Sequence, residues 1–148
     1  MRLERFNSHA GIYYRKIQIY MKKAFKRLGI SFDEGIILQY LLANPGVTQD
    51  HIAEALALDA AAVARSLKAM EQRGYLLRSV DETNQRRKLT NVTPAGAQVA
   101  NRIIQAMDAW DNEIFKGLSD ERGAGLVEST SFLQRRAQEI DISSLFGS

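Results

Sequence analysis

The feature that most constrains the fold of this chain is a change of hydrophobic period within residues 48–96. In the first half of this segment, apolar residues recur at helical spacing. In the second half, YLLRSV and KLTNV are short β-prone runs separated by DETNQR, which contains no apolar residue. The segment therefore predicts two short helices, a hairpin and, after the second β-run, the start of a further helix.

Both short helices have a capping residue at their predicted start, Thr48 for the first and Asp59 for the second. Gly74 is typical of the residue that follows a helix C-terminus. The apolar positions are Ile52, Ala53 and Leu56 on the first helix and Val63, Leu67 and Met70 on the second. The opposite face of the second helix is formed by Ala61, Arg65, Lys68 and Gln72. This pattern predicts a helix-turn-helix whose second helix presents Arg65 and Lys68 to a DNA groove.

The predicted hairpin has a polar tip and a basic return strand. Asp81, Glu82, Thr83 and Asn84 suit a turn, and Arg86, Arg87 and Lys88 place three positive charges on the strand that follows. Thr93-Pro94 then combines a capping residue with a proline at the first helical position. The predicted fold is therefore mainly α with a small β-wing, in which a winged helix-turn-helix domain is flanked by N- and C-terminal helices.

The flanking helices carry more apolar surface than the neighbouring chain can bury. Helices are predicted at about residues 6–28, 33–43 and 94–118, with a last helix after Ser119-Asp120 that extends to about residue 140. Asn44-Pro45-Gly46 ends the second of these. We expect a single domain over residues 1–148, with the winged part at about 32–93 and dimerisation helices at about 6–28 and 94–140. Burial against a second copy is the favoured arrangement, and an intramolecular bundle is the alternative.

These motifs together resemble the MarR family of bacterial transcription regulators. The matching marks are TQDHIAEAL in the first short helix, MEQRGYL at the end of the second, the basic wing, and VTPAG at the start of the long helix. The resemblance implies a dimeric winged-helix repressor or activator. Counting seven residues back from Thr93, it also assigns Arg86 as the wing arginine that enters the minor groove.

Two positions depart from the family pattern. The family often has an aspartate two residues before the wing arginine, where this chain has the neutral Asn84. Residues 60–64 read Ala-Ala-Ala-Val-Ala, where the family is rich in serine and threonine; alanine can contact only a thymine methyl. Direct base contacts are therefore expected to rest on Arg65 and Lys68, with more discrimination from groove shape. The predicted DNA contacts are Thr48, Gln49, Ala61, Ala62, Arg65, Lys68, Arg86, Arg87 and Lys88.

The charge distribution favours a nucleic-acid partner. Residues 1–90 carry 15 Lys and Arg against 9 Asp and Glu, whereas residues 91–148 carry 5 against 8. A solvated basic face is the alternative explanation. A winged-helix module that binds protein and has weak or lost DNA binding is the alternative function, because the alanine run and Asn84 weaken base recognition.

Other classes of function are disfavoured. The chain has no cysteine, so disulfides and thiol-based redox sensing are excluded. His9 and His51 belong to no ligand-spaced cluster, and phosphate-loop, GxGxxG and GxSxG motifs are absent, so neither an enzyme nor a cofactor is expected. No signal-peptide core or membrane span is predicted, which favours a cytoplasmic protein. The basic first helix could lie on anionic lipid, but its apolar stripe continues into a folded domain, so no membrane partner is expected.

The family resemblance also implies a small aromatic or phenolic effector that lodges between the dimerisation helices and the winged domain. Tyr13, Tyr20, Met21 and Phe25 are the candidate ligand-binding residues, with Phe32 beside them. At helical spacing, however, such residues more often belong to the core.

Overall fold

The computed structural model describes residues 3–146, with side chains from residue 5 onward. The chain is mainly helical, with one two-stranded antiparallel sheet in the described part. The elements are α1 (Leu3–Arg27), α2 (Phe32–Ala43), α3 (Gln49–Leu56), α4 (Ala60–Gln72), β1 (Leu76–Asp81), β2 (Asn84–Val92), α5 (Pro94–Ile114), α6 (Asp120–Glu139) and a short 3-10 helix (Ile142–Phe146). The predicted winged helix-turn-helix fold is confirmed.

The chain divides into two compact units, residues 1–110 and 111–148. The first unit has a hydrophobic core built from α1, α2, α3, α4, β1 and α5. Its fully buried large side chains include Phe25, Ile37, Leu38, Leu41, Ile52, Val63, Leu67, Met70 and Ile103. The predicted apolar face of α4 thus packs in this core. In the second unit, α6 has no buried residue, and Leu126, Val127, Phe132 and Leu133 are exposed.

Side-chain caps define where the helices of the winged part begin. The hydroxyl of Ser31 accepts the backbone N–H of Glu34, and the Glu34 carboxylate accepts that of Ser31 at 2.9 Å, which completes a capping box. Thr48 accepts from the backbone N–H of His51, and Asp59 from that of Ala62. The caps predicted at Thr48 and Asp59 are confirmed, and α2 begins one residue earlier than the sequence pattern suggested.

The start of α5 packs tightly against the turn that ends α4. Gly74 has φ +76, as predicted for a glycine after a helix C-terminus. The Thr93 hydroxyl donates to the Gly74 carbonyl at 2.6 Å and accepts the N–H of Gly96 at 3.1 Å, so it both caps α5 and holds it to this turn. A Cβ on Gly96 would lie 2.1 Å from the Tyr75 carbonyl oxygen, so this contact requires glycine.

Two predicted boundaries are corrected by the structure. The long helix ends at Ile114 rather than at residue 118, because Gly117 turns the chain with φ +85. The sequence pattern left DETNQR unpaired, whereas Asp81 ends β1 and pairs with Asn84 at the start of β2, so the turn itself is residues 82–83. Polar residues at the tip are compatible with an exposed strand as well as with a loop, which explains the difference.

Among residues 3–146, no helix is both long enough and apolar enough to span a bilayer.

Candidate nucleic-acid interface

The outer face of α4 is exposed as the helical pattern predicts. Ala61, Arg65, Lys68 and Gln72 are all exposed, while Val63, Leu67 and Met70 on the opposite face are fully buried. Ala62 is half-buried. The N-terminal end of this exposed face therefore carries only methyl groups. The charged groups of the face, Arg65 and Lys68, lie further along the helix. A backbone with such small side chains can approach a groove closely while the two longer side chains reach base edges or phosphates.

The wing carries its cations at an irregularity of the hairpin. Strand pairing places Val80 opposite Lys88, but the next residue of β1, Asp81, lies opposite Asn84. Gln85, Arg86 and Arg87 therefore have no paired residue on β1. Bulged segments of this kind re-aim side chains and end strand pairing. Arg86, Arg87 and Lys88 are all exposed, as a groove contact requires.

Side-chain hydrogen bonds fix the backbone at the tip of the wing. The Asp81 carboxylate accepts the Thr83 hydroxyl at 2.7 Å and the Thr83 backbone N–H at 2.9 Å, and these two bonds are the leading reasons that the pKa of Asp81 is lowered. The Asn84 amide oxygen accepts the backbone N–H of Arg86 at 3.2 Å. Asn84 thus orients the main chain at Arg86 and leaves the guanidinium to other partners.

The cations of the winged part fall into two groups. Arg73 is paired with Glu34 at 2.6 Å, and Arg78 is paired with Glu71 at 2.6 Å. Within residues 5–146, no ion pair is formed by the five other cations of this region, Arg65, Lys68, Arg86, Arg87 and Lys88. Net charge alone could not separate the two groups, because the pairing depends on contacts between elements.

The two paired arginines connect α4 to its neighbours. Arg78 of β1 donates to Glu71 of α4 through both Nε and Nη2, which joins α4 to the wing. Arg73 donates to the Gly29 carbonyl at 2.7 Å in addition to its pairing with Glu34. Neither contact has a local sequence pattern that would reveal it, because each joins residues brought together only by the fold.

The first helix of the helix-turn-helix holds the remaining predicted contacts. Thr48 and Gln49 are half-buried at its N-terminus, where Thr48 acts as the cap. The His51 Nε2 atom lies 2.9 Å from the Tyr40 hydroxyl oxygen, which links α3 to α2. Because this contact joins two helices, His51 has a structural role here.

The four residues proposed for an effector lie in different surroundings. Phe25 is fully buried and stacks on Phe32, and Met21 is buried in the same core. Tyr13 is exposed, and Tyr20 is half-buried with its hydroxyl donating to the Ala106 carbonyl at 2.9 Å. Tyr13 and Tyr20 both pack against Trp110, at ring-centroid distances of 6.4 and 5.1 Å.

The Glu71–Arg78 pair makes the stability of the wing sensitive to acid. The pKa of Glu71 is lowered from its ordinary value of 4.5, chiefly because its carboxylate accepts hydrogen bonds from Arg78. Because the folded-state pKa of Glu71 lies below the unfolded-state value, the ion pair contributes its full stabilisation above about pH 4.5. This contribution is lost as the pH falls through the lowered pKa.

We therefore expect Glu71→Gln to lower Tm at about pH 7 and to have a smaller effect at an acidic pH below the lowered pKa of Glu71, where the parent carboxylate is neutral as well. Thermal unfolding of both proteins at the two pH values measures this difference. An equal loss of Tm at both pH values would show that packing, rather than the ion pair, is responsible.

Comparison with known proteins identifies the family of this chain. The MarR family model matches residues 28–87. A relative from Thauera aromatica, named as a transcriptional regulatory protein for the hcr operon, is 30% identical over 135 residues, which cover 87% of this chain and 81% of the relative. The chain belongs to the MarR family. As a MarR-family protein it is a transcriptional regulator and not an enzyme.

Solved structures support the MarR-family fold. SlyA matches with a TM-score of 0.80 at 24% identity, covering 94% of this chain and 96% of SlyA. A MarR transcriptional regulator from Methanosarcina mazei Go1 matches with a TM-score of 0.82 at 22% identity, covering 90% and 96%. A mutant of S. aureus MepR bound to an oligodeoxyribonucleotide matches with a TM-score of 0.61 at 22% identity, covering 89% and 97%.

Proposed function

We propose that this MarR-family regulator binds double-stranded DNA selectively as a homodimer and represses transcription from the bound site. In this proposal α4 enters the major groove and the wing places Arg86 in the adjacent minor groove. A DNA target implies that the protein acts where the chromosome lies, which in a bacterium is the cytoplasm. The oligodeoxyribonucleotide bound to the MepR mutant supports a DNA ligand for this fold.

The observation that carries the proposal is the distribution of unpaired cations. Arg73 and Arg78 are engaged by acidic side chains, whereas Arg65 and Lys68 on α4 and the basic residues of the wing are exposed and unpaired within residues 5–146. Unpaired exposed cations cost little to desolvate at a phosphate and release counterions when they bind. A protein-binding module would not require its exposed cations to be free of acidic partners on the proposed DNA-facing surface.

Selectivity is proposed to rest on few direct contacts. Arg65 can donate two hydrogen bonds to a guanine edge, and Lys68 can reach a base or a phosphate. The exposed Ala61 and the half-buried Ala62 can contact thymine methyl groups only. The remaining discrimination is assigned to the shape of the minor groove at Arg86.

A salt titration tests the DNA proposal. We expect the logarithm of the affinity for a fluorescent duplex to fall linearly with the logarithm of the salt concentration, by about 0.9 per phosphate contact. Arg65→Ala is expected to reduce the preference for the selected sequence over a scrambled duplex by about 1–3 kcal/mol. An affinity that is absent or independent of salt would instead favour the protein-binding alternative.

The homodimer is supported by apolar surface that the described chain leaves exposed. On α1 these residues are Phe6, Ile12, Tyr13, Tyr14 and Ile19, and on α6 they are Leu126, Val127, Phe132 and Leu133. Exposed apolar residues in this number on two long helices are typical of an interface with a second chain. A two-fold dimer would also present two copies of α4 to half-sites about one helical turn apart.

Sedimentation measures the oligomeric state directly. The purified chain is expected to sediment as a dimer at micromolar concentration, and Val127→Glu is expected to shift it toward monomer because a charge is placed in the interface. Val80→Glu, which changes an exposed valine on the wing, serves as the matched control and should leave the dimer intact. A monomeric parent protein would refute the dimer.

Release from DNA by a small aromatic ligand completes the proposal. Tyr13 and Tyr20, which pack with Trp110 between α1 and α5, are the accessible members of the predicted ligand set. Such a ligand regulates if it binds better to a dimer whose half-site spacing does not match the operator.

A further inference from the structure

A pocket between α1 and α5 is lined by cations that the proposed DNA interface does not use. The pocket has a volume of about 410 Å³, within the range of small-molecule sites. Lys23 and Arg27 of α1 and Arg102 of α5 line it, and all three side chains are exposed. No aspartate or glutamate is among the lining residues, and none of the three cations forms an ion pair within residues 5–146.

The wall of this pocket is apolar and held in place. Tyr20 and Ala24 of α1, together with Leu28 just after its end, face Ala106 of α5 across it. The Tyr20 hydroxyl donates to the Ala106 carbonyl at 2.9 Å, and its ring packs against Trp110 at 5.1 Å. The phenol is therefore committed to joining the two helices, and its ring offers a fixed surface for an apolar ligand group. Exposed cations beside an apolar surface suit an anion that also carries an apolar group.

We propose that this pocket binds an organic phosphate, with the phosphate held by Lys23, Arg27 and Arg102 and the organic group against Tyr20, Ala24 and Leu28. Three positive charges without an acid exceed what a single carboxylate neutralises, whereas a phosphate monoester carries nearly two negative charges at neutral pH. The two guanidinium groups can each donate a pair of hydrogen bonds to phosphate oxygens. The exposed positions of the cations keep the desolvation cost low.

Both helices that form the pocket, α1 and α5, are connected to the end of α4. Beyond Arg27, the chain reaches Gly29, whose carbonyl accepts Arg73 from the end of α4 at 2.7 Å. α5 begins at Thr93-Pro94, where Thr93 donates to the Gly74 carbonyl at 2.6 Å. A phosphate that draws α1 and α5 together therefore acts on both contacts that hold the end of α4. This coupling rests on the proposed DNA function, whereas the binding site itself does not.

Direct titration of the full chain tests the site without DNA. Phenyl phosphate is the probe, followed by calorimetry and by ¹H–¹⁵N NMR, with benzoate and inorganic phosphate as comparisons. We expect saturable binding of phenyl phosphate with shifts centred on α1 and α5, and weaker binding of both comparison anions. Arg102→Gln should weaken the binding by about tenfold. Arg135→Gln removes from α6 an exposed cation that has no ion pair in the described part of the chain, and it should leave the binding unchanged.

Three outcomes would overturn the site: no saturation at millimolar phenyl phosphate, equal affinity for benzoate, or an equal loss in the Arg135→Gln control. Equal binding of inorganic phosphate would overturn the role of the apolar wall. In a separate assay, phenyl phosphate should change the duplex affinity of the parent and have less effect on Arg102→Gln. A chain that binds the probe but no DNA would refute the proposed function and the coupling, while leaving the site confirmed.

Discussion

Replacing Arg86 with alanine is expected to lower the affinity for duplex DNA by about 1–3 kcal/mol, which corresponds to roughly 5- to 150-fold. Arg86 lies in the bulged segment of β2, is exposed, and has no acidic partner within residues 5–146, so nothing in the described chain competes with DNA for its guanidinium. A narrow minor groove has an enhanced negative potential that favours arginine. Fluorescence anisotropy with a labelled duplex at fixed salt measures the loss.

The pattern of the loss matters as much as its size. Arg86→Ala should weaken binding to most sequences alike, and the salt dependence should become shallower for each phosphate contact that is removed. Arg135→Ala is the matched control and should retain the parent affinity, because Arg135 lies exposed on α6 and forms no ion pair within residues 5–146. Unchanged affinity in Arg86→Ala, with unchanged thermal stability, would show that the wing does not enter the groove.

Replacing Gly96 with alanine is expected to destabilise the first unit by about 3 kcal/mol, at the upper end of the range for overpacked sites. The added Cβ would lie 2.1 Å from the Tyr75 carbonyl oxygen and 2.9 Å from Val92 Cγ1. The carbonyl cannot move freely, because it accepts the backbone N–H of Thr93 at 3.0 Å. Relief therefore requires α5 to shift away from the turn after α4.

Urea unfolding measures this change, and Gly11→Ala provides the control. Gly11 is also a helical glycine, but a Cβ there would meet only the flexible Arg15 guanidinium at 3.5 Å. That variant should be more stable than the parent by roughly 0.5–1 kcal/mol, since alanine loses less conformational entropy in a helix than glycine does. If Gly96→Ala were as stable as Gly11→Ala, the contact between α5 and Tyr75 would not be tight in solution.

Sequence reasoning succeeded where short-range rules decide the structure. A hydroxyl or carboxylate before a helix can satisfy a free N–H only at the N-cap, so Thr48 and Asp59 mark their helices without further information. The buried face of α4 followed from the spacing of Val63, Leu67 and Met70 alone. These local signals were enough to obtain the winged-helix fold and the exposed position of Arg65.

Contacts between distant elements could not be obtained in this way. Arg73 and Arg78 are chemically equivalent to Arg86 in the sequence, and only the fold places Glu34 and Glu71 beside them. The bulge at residues 85–87 was also missed, because β-propensity does not distinguish an exposed, unpaired strand segment from a loop. The candidate interface therefore contains fewer of the winged part's cations than the net charge of the sequence suggested, because Arg73 and Arg78 are engaged in ion pairs.

The alanines at the start of α4 have a consequence for how such a regulator changes its target. Ala60 and Ala61 are exposed, and the start of the helix is secured by the Asp59 cap rather than by these side chains. Substitution by serine, asparagine or glutamine at either position costs a fraction of a kcal/mol in helix propensity, far less than a change in the core. In the proposed DNA complex, new base preferences can therefore be acquired one residue at a time without loss of the fold, so this surface is open to evolutionary and experimental retargeting.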